Sequence, residues 1–231
     1  MSVFRPVADP QAALSWIPAD VLEEGELCGL DVPGWEDETW ILHDAIERTD
    51  ALDPHRRRRT RHRWRDLTDR DLAAVAAAGV SPPDAMHLLK GHSRPEVTIE
   101  EGVFEGESQT ALLDLLKEFS GAQTGCFAFF GTVTAYDVDR LAVLEGPLAA
   151  ITTLRRAELF CEVSPSNWWP ADRSWFVWTD YDLTATRVSG PRSLIQQVRA
   201  HPALETVGWR RPDGMRTSRP ATLNGWGCSG D

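Results

Sequence analysis

Ser174-Trp175-Phe176-Val177-Trp178-Thr179 leads through Asp180-Tyr181-Asp182 into Thr184-Ala185-Thr186-Arg187-Val188. In the first of these runs both alternating sets, Trp175/Val177 and Phe176/Trp178, are apolar, which is the pattern of a strand covered on both faces. The second run pairs with it across the acidic bend. Pro191 then opens a helix whose Leu194, Ile195 and Val198 face the core, and Pro202 ends it. Leu204 to Trp209 reads as a closing strand.

Working back from this hairpin, Cys126–Val133, Leu141–Glu145 and Ala157–Val163 read as further buried strands, with room for a short helix over Pro147–Leu154. Upstream, Leu112, Leu115, Leu116 and Phe119 follow helical spacing from Ser108, and Gly121 closes the helix. Glu36 to Arg48 has acids in its first turn and a stripe of Trp40, Ile41, Leu42, Ala45 and Ile46, which predicts a helix. Asp53-Pro54 predicts a helix start for His55–Trp64, and Thr68-x-x-Asp71 another, with Gly79 as its stop. Pro82-Pro83 forces extended backbone, followed by a short helix over Asp84–Lys90. Strands joined by short bends, with helices gathered before and after them, define an α+β fold with a mixed, mostly antiparallel sheet and flanking helices. The expected organisation is an irregular acidic N-terminal arm over residues 1–34, one α+β domain over 35–209 and a loose tail over 210–231.

The chain has 231 residues, 42% of them hydrophobic, enough for one substantial core. No stretch reaches the roughly 18 to 20 apolar residues of a membrane span, and the N-terminus lacks a signal pattern, so a cytoplasmic protein without membrane contact is expected. Cys28, Cys126, Cys161 and Cys228 are widely separated and form no metal or redox motif. The histidines show no metal-binding spacing either, so neither metal nor cofactor is expected. Gly225-x-Gly227-x-x-Gly230 has the letters of a dinucleotide loop, but the chain given ends at Asp231 with no helix after it to bind phosphate.

The net charge of −11 is uneven: residues 1–50 carry 12 acids and 2 bases, residues 51–72 carry 4 acids and 8 bases. Within the basic segment, Arg56, Arg57, Arg58, Arg59, Arg61, Arg63 and Arg65 are the candidate nucleic-acid contacts. The alternative is that they neutralise the acidic first fifty residues. Of 24 basic residues only Lys90 and Lys117 are lysines, an arginine bias that makes the run less telling. The second candidate site is the segment from Asn167 to Asp182, where Trp168, Trp169, Asp172, Arg173, Asp180 and Asp182 could wall a small-ligand pocket. Its alternative is a core strand with a turn whose carboxylates bond the backbone.

Gly34-Trp35-Glu36, Thr39-Trp40-Ile41-Leu42-His43, Leu144-Glu145-Gly146-Pro147-Leu148 and Ser164-Pro165-Ser166-Asn167-Trp168-Trp169-Pro170-Ala171-Asp172-Arg173-Ser174-Trp175 resemble a group of uncharacterised actinobacterial proteins. The likeness runs on through Thr179-Asp180-Tyr181-Asp182-Leu183 to Leu194-Ile195 and covers about half of the chain in separated blocks. Where that group has a glycine-rich V-G-G-S turn, this chain has Val188-Ser189-Gly190-Pro191. The group has no assigned activity, so the resemblance implies no site residue.

With no visible nucleophile, base or metal cage, the sequence points first to a non-catalytic protein that binds another protein, in a regulatory or immunity-like role. A small-molecule binder or enzyme at Trp168–Asp182 comes second, and nucleic-acid binding through Arg56–Arg65 third. Under the third reading, changing Arg56–Arg59 together to alanine abolishes binding and flattens its salt dependence in a filter or anisotropy titration; retained affinity removes that reading.

Overall fold

A computed structural model of the chain describes residues 3–25, 30–48, 59–68, 71, 72, 74, 97–99, 101–121, 124–130, 143–156, 164–179 and 183–208. The Trp175–Val188 stretch forms the hairpin expected of it. Strand β9 (Phe176–Thr179) pairs antiparallel with β10 (Ala185–Gly190), and every residue of both is buried. Around them an eight-stranded sheet is built from β1 (Arg5–Pro6), β2 (Asp37–Leu42), β6 (Gly125–Phe129), β7 (Val143–Pro147), β8 (Asn167–Pro170) and β11 (Thr206–Val207). Its order is β1-β7-β6-β8-β9-β10-β2-β11, and every pairing is antiparallel. A second sheet has the order β4-β3-β5, from β3 (Ala45–Arg48), β4 (Arg59–His62) and β5 (Val97–Thr98). Sheets and helices together make an α+β protein with antiparallel sheets, as the sequence indicates.

One segment reads differently in sequence and in structure. Glu36–Arg48 is not a helix but two strands, β2 and β3, joined by His43-Asp44. A short apolar run satisfies helical and extended spacing equally, and partners decide. Here β2 is hydrogen-bonded to β10 on one side and to β11 on the other, and Thr39, Trp40, Ile41 and Leu42 are all buried. Likewise the end of the helix expected over His55–Trp64 is strand β4, and a single helical turn, α3 (Trp64–Leu67), starts only at Trp64.

Where an irregular arm was expected, the N-terminal residues supply β1 and the short helices α1 (Pro10–Leu14) and α2 (Ala19–Gly25). Asp9 caps α1 by accepting from Ala12 N at 3.0 Å, with Pro10 at the first helical position. Helix α4 (Gly106–Ser120) ends as expected at Gly121, whose φ of +92° suits a residue without a Cβ. The short helix after β7 is 3-10 and runs over Leu148–Arg156. Helix α5 (Arg192–Ala200) presents Leu194, Ile195 and Val198 to the core, with Pro191 at its cap and not inside it. The expectations for Pro82–Lys90, Ala157–Val163 and the 210–231 tail lie outside the described residues.

Strand alternation divides the core in two. On one side Ile41, Ala128, Leu144, Trp168, Val177 and Val188 meet α4, α5 and the 3-10 helix through Leu112, Leu116, Leu194, Ile195, Leu148 and Ile151. On the other, Trp40, Phe129, Val143, Trp169, Phe176 and Trp178 meet Leu14, Ile17, Leu30 and Val32 of the N-terminal segment, and Trp64 of α3. The N-terminal residues therefore form a covering layer. Among the described residues no helix is long and apolar enough to cross a membrane.

The β1 edge is shaped by a close approach. A Cβ on Gly146 of β7 would lie 2.7 Å from the Phe4 ring, and Phe4 is itself buried. Gly146→Ala is expected to displace the ring and lower stability by about 1–3 kcal/mol, as overpacking does. Urea denaturation checks this: the midpoint falls while the slope stays unchanged.

Candidate functional site

The aromatic-acidic segment supplies two paired strands, β8 and β9, and the turn between them. Trp168 and Trp169 are adjacent in β8 and so face opposite sides of the sheet. Trp168 meets Trp175 edge-on at 5.6 Å on the helical side, where Trp175 Nε1 donates to Ser120 Oγ of α4 at 2.7 Å. Trp169 lies under the N-terminal layer against Trp16, Phe127 and Phe176, at 5.9, 5.8 and 5.7 Å. Asp172 is exposed in the turn, and its carboxylate accepts from Ser174 N and Ser174 Oγ at 3.1 and 2.8 Å. Arg173 has a φ of +57° and places its guanidinium 5.4 Å over the Trp16 ring. Asp180 and Asp182 lie outside the described residues.

The arginine segment is bound into the molecule where it is described. Arg61 donates from Nε to Asp44 Oδ1 at 2.9 Å and from one terminal nitrogen to Ser108 Oγ and the Ala203 carbonyl, at 2.9 and 2.6 Å. Its other terminal nitrogen lies 2.9 Å from Glu107. Arg63 donates to the Pro202 carbonyl at 2.6 Å, and the exposed Arg65 faces Glu205 at 3.5 Å, a weak pairing in water. Arg56, Arg57 and Arg58 lie outside the described residues, as does the side chain of Arg59. The described arginines thus hold β4 and α3 onto Asp44, Glu107 and the loop before β11.

A polar junction sits where β2 passes into β3. His43 is buried against Phe104, with Nε2 2.9 Å from Thr186 Oγ1, which in turn lies 2.9 Å from Thr179 Oγ1. Burial pushes the imidazole down to about 3, so the ring is neutral near pH 7. Next to it, the Asp44 carboxylate accepts from both Arg61 and Ser108. Glu205 closes the same junction by accepting from Trp64 N at 2.7 Å, and Trp64 Nε1 donates to the His43 carbonyl at 2.7 Å. Cys126 lines a shallow groove of about 410 Å³ with Val3, Arg5, Phe127 and Glu145 beside β1. Burial holds its thiol near 12, protonated and unreactive.

Two further polar residues occupy the middle of the large sheet. Arg187 of β10 stands directly across from Trp40 on one side and Trp178 on the other. Its guanidinium lies 4.7 Å from the Trp178 ring centroid and 5.8 Å from that of Trp40, and it is bonded to Asp31. Asn167 of β8, directly across from Trp178 and fully buried, accepts from Leu30 N at 2.5 Å and donates to the Leu30 carbonyl at 2.9 Å. Sequence reasoning passed over His43, Asp44, Asn167 and Arg187 as site residues. None of the four stood out by local pattern: Arg187 shares its strand with Thr186 and Ser189, and each acquires its partner only through tertiary packing.

Compared with family models, with curated proteins and with solved structures, the chain matches none of them.

His43 gives a signed pH prediction. Its folded value lies far below its unfolded one, so its contribution to stability is complete above about pH 6.5 and is lost as pH falls toward 3, at up to about 1.4 kcal/mol per pH unit. The Asp37 carboxylate, lowered first by its hydrogen bond to Arg199, adds a loss in the same acidic direction. His43→Gln keeps a polar partner for Thr186 without a titrating ring. Stability measured by urea from pH 7 to 4 should therefore fall less steeply in this variant than in the unaltered chain.

Proposed function

We propose that the protein works by binding another protein and carries out no chemistry of its own. The observation that supports this most directly is that, among the described residues, several chemically capable side chains are committed to internal partners. His43 is neutral, buried and bonded to Thr186; Asp44 and Ser108 are tied to each other and to Arg61; Cys126 is a buried thiol. General acid-base or nucleophilic catalysis needs such groups free to reach a substrate and near their working pKa. The formal net charge of the whole chain is −11. A surface of that sign steers association with a basic partner and makes it sensitive to salt.

Native mass spectrometry of the protein purified gently from its own host tests this reading. A stoichiometric partner protein that dissociates as ionic strength rises is the expected result. Turnover of a small molecule, lost when Asp180 or Asp182 is replaced by alanine, would overturn it and move the function to the Trp168–Asp182 segment.

A further inference from the structure

Between the large sheet and the N-terminal segment lies a polar arrangement that packing alone does not call for. The buried face there is aromatic, with Trp40, Trp169, Phe176 and Trp178, and an aliphatic covering strand would satisfy it. Instead Asn167 and Arg187 project into the layer, and each meets one element of Leu30-Asp31-Val32. The Asn167 amide takes both the N–H and the C=O of Leu30, as a residue of a neighbouring strand would in an antiparallel ladder. The Arg187 guanidinium, flanked by two tryptophan faces, takes the Asp31 carboxylate and lies 3.8 Å from Glu38. Leu30 and Val32 are buried on either side of Asp31.

This combination reads a backbone, one carboxylate and two flanking aliphatic side chains. It is the chemistry that recognises a peptide, since an amide pair supplies affinity independent of side chain and a desolvated arginine supplies the choice of an acidic residue. Arg187 Nε and Ser189 Oγ, both buried on β10, have no hydrogen-bond partner among the described residues, which leaves donors for a bound segment to use. The covering segment is followed by exposed Pro33 and Gly34; Gly34 has a φ of +92° and nothing within 4 Å of where a Cβ would lie.

We propose that the face around Asn167 and Arg187 is a docking site for an extended segment of a partner protein that carries one acidic residue, a place the chain's own Leu30-Asp31-Val32 occupies here as a displaceable strap. The inference rests on the protein-binding reading and deepens it: a partner basic overall, as the net charge of −11 favours, offers one acidic residue between two aliphatic ones and must compete with the strap. Such competition lowers the apparent affinity by the fraction of molecules whose strap is open.

The test uses the full chain and a fluorescein-labelled peptide of its residues 29–36, followed by fluorescence anisotropy. Asp31→Ala in the protein weakens the strap but leaves the site, so it should bind the peptide at least about tenfold more tightly than the unaltered chain does. A peptide with asparagine in place of the aspartate should lose about the same factor on either protein. If Asp31→Ala fails to fold, Asp31→Asn takes its place, and the two peptides compared on the unaltered chain still decide the matter. Absence of saturable binding, or binding indifferent to the peptide's aspartate, overturns the proposal. So does a dimer formed by the Asp31 variant, which would make a second copy's N-terminal segment the occupant. A host partner whose complex survives excess peptide removes this site while leaving the proposed function standing.

Discussion

Strand β10 is bonded on both sides, to β9 and to β2, and all six of its residues are buried. A sheet whose centre is closed to water on both faces needs two covering layers, because unpaired polar backbone and exposed apolar surface both carry a cost. Helices α4 and α5 and the 3-10 helix provide one layer. The described N-terminal residues and α3 provide the other, so that segment helps to close the core. The depth of this burial also explains why polar residues in the sheet have specific partners: Asn167 with Leu30, Arg187 with Asp31, Thr186 with His43 and Thr179.

The sheet's edges follow from the same constraint. Beyond the short strand β11, the outer edge of β2 is met by Arg199 of α5, which donates to the Glu38 carbonyl at 2.7 Å and to both carboxylate oxygens of Asp37 at 2.8 and 2.9 Å. A bidentate guanidinium in that place satisfies a carbonyl that would otherwise invite another strand. At the opposite end β1 is only two residues long, and Arg5 pairs with Glu145 across it. Short edge strands with charged side chains on or beside them oppose pairing of the large sheet with other chains.

Arginine chemistry links the fold to its acidic composition. Arg61, Arg187 and Arg199 each reach an acidic residue of the first fifty positions, namely Asp44, Asp31 and Asp37. These contacts connect the N-terminal half to strands and helices more than a hundred residues away in two of the three cases. Arg61 and Arg187 are buried enough for removal of one partner to leave a charge in a poorly solvated place, which makes these pairs strong determinants of how the layers dock. Read alone, the sequence run Arg56–Arg65 offers either candidate phosphate contacts or neutralisation of the acidic first fifty residues. In its described part it is a set of internal ties.

The hairpin of β9 and β10, helix α4 with its Gly121 stop, helix α5 between two prolines, and the antiparallel α+β class were all legible in the sequence, because each rests on a local pattern: alternation, heptad-like spacing or a residue confined to one backbone region. The sheet membership of Thr39–Leu42 was not, since a short run such as Trp40-Ile41-Leu42 fits a helix and a strand alike until β10 and β11 flank it. The same holds for the candidate site. Trp168 and Trp169 stood out by type, but only strand alternation with partners on both faces sent them to opposite layers. Asn167 and Arg187 were ordinary letters in the sequence, and it was the tertiary approach of Leu30 and Asp31, more than a hundred residues distant, that gave them partners. Local propensity is written in neighbouring residues, whereas a hydrogen bond between distant segments exists only once packing has brought them together.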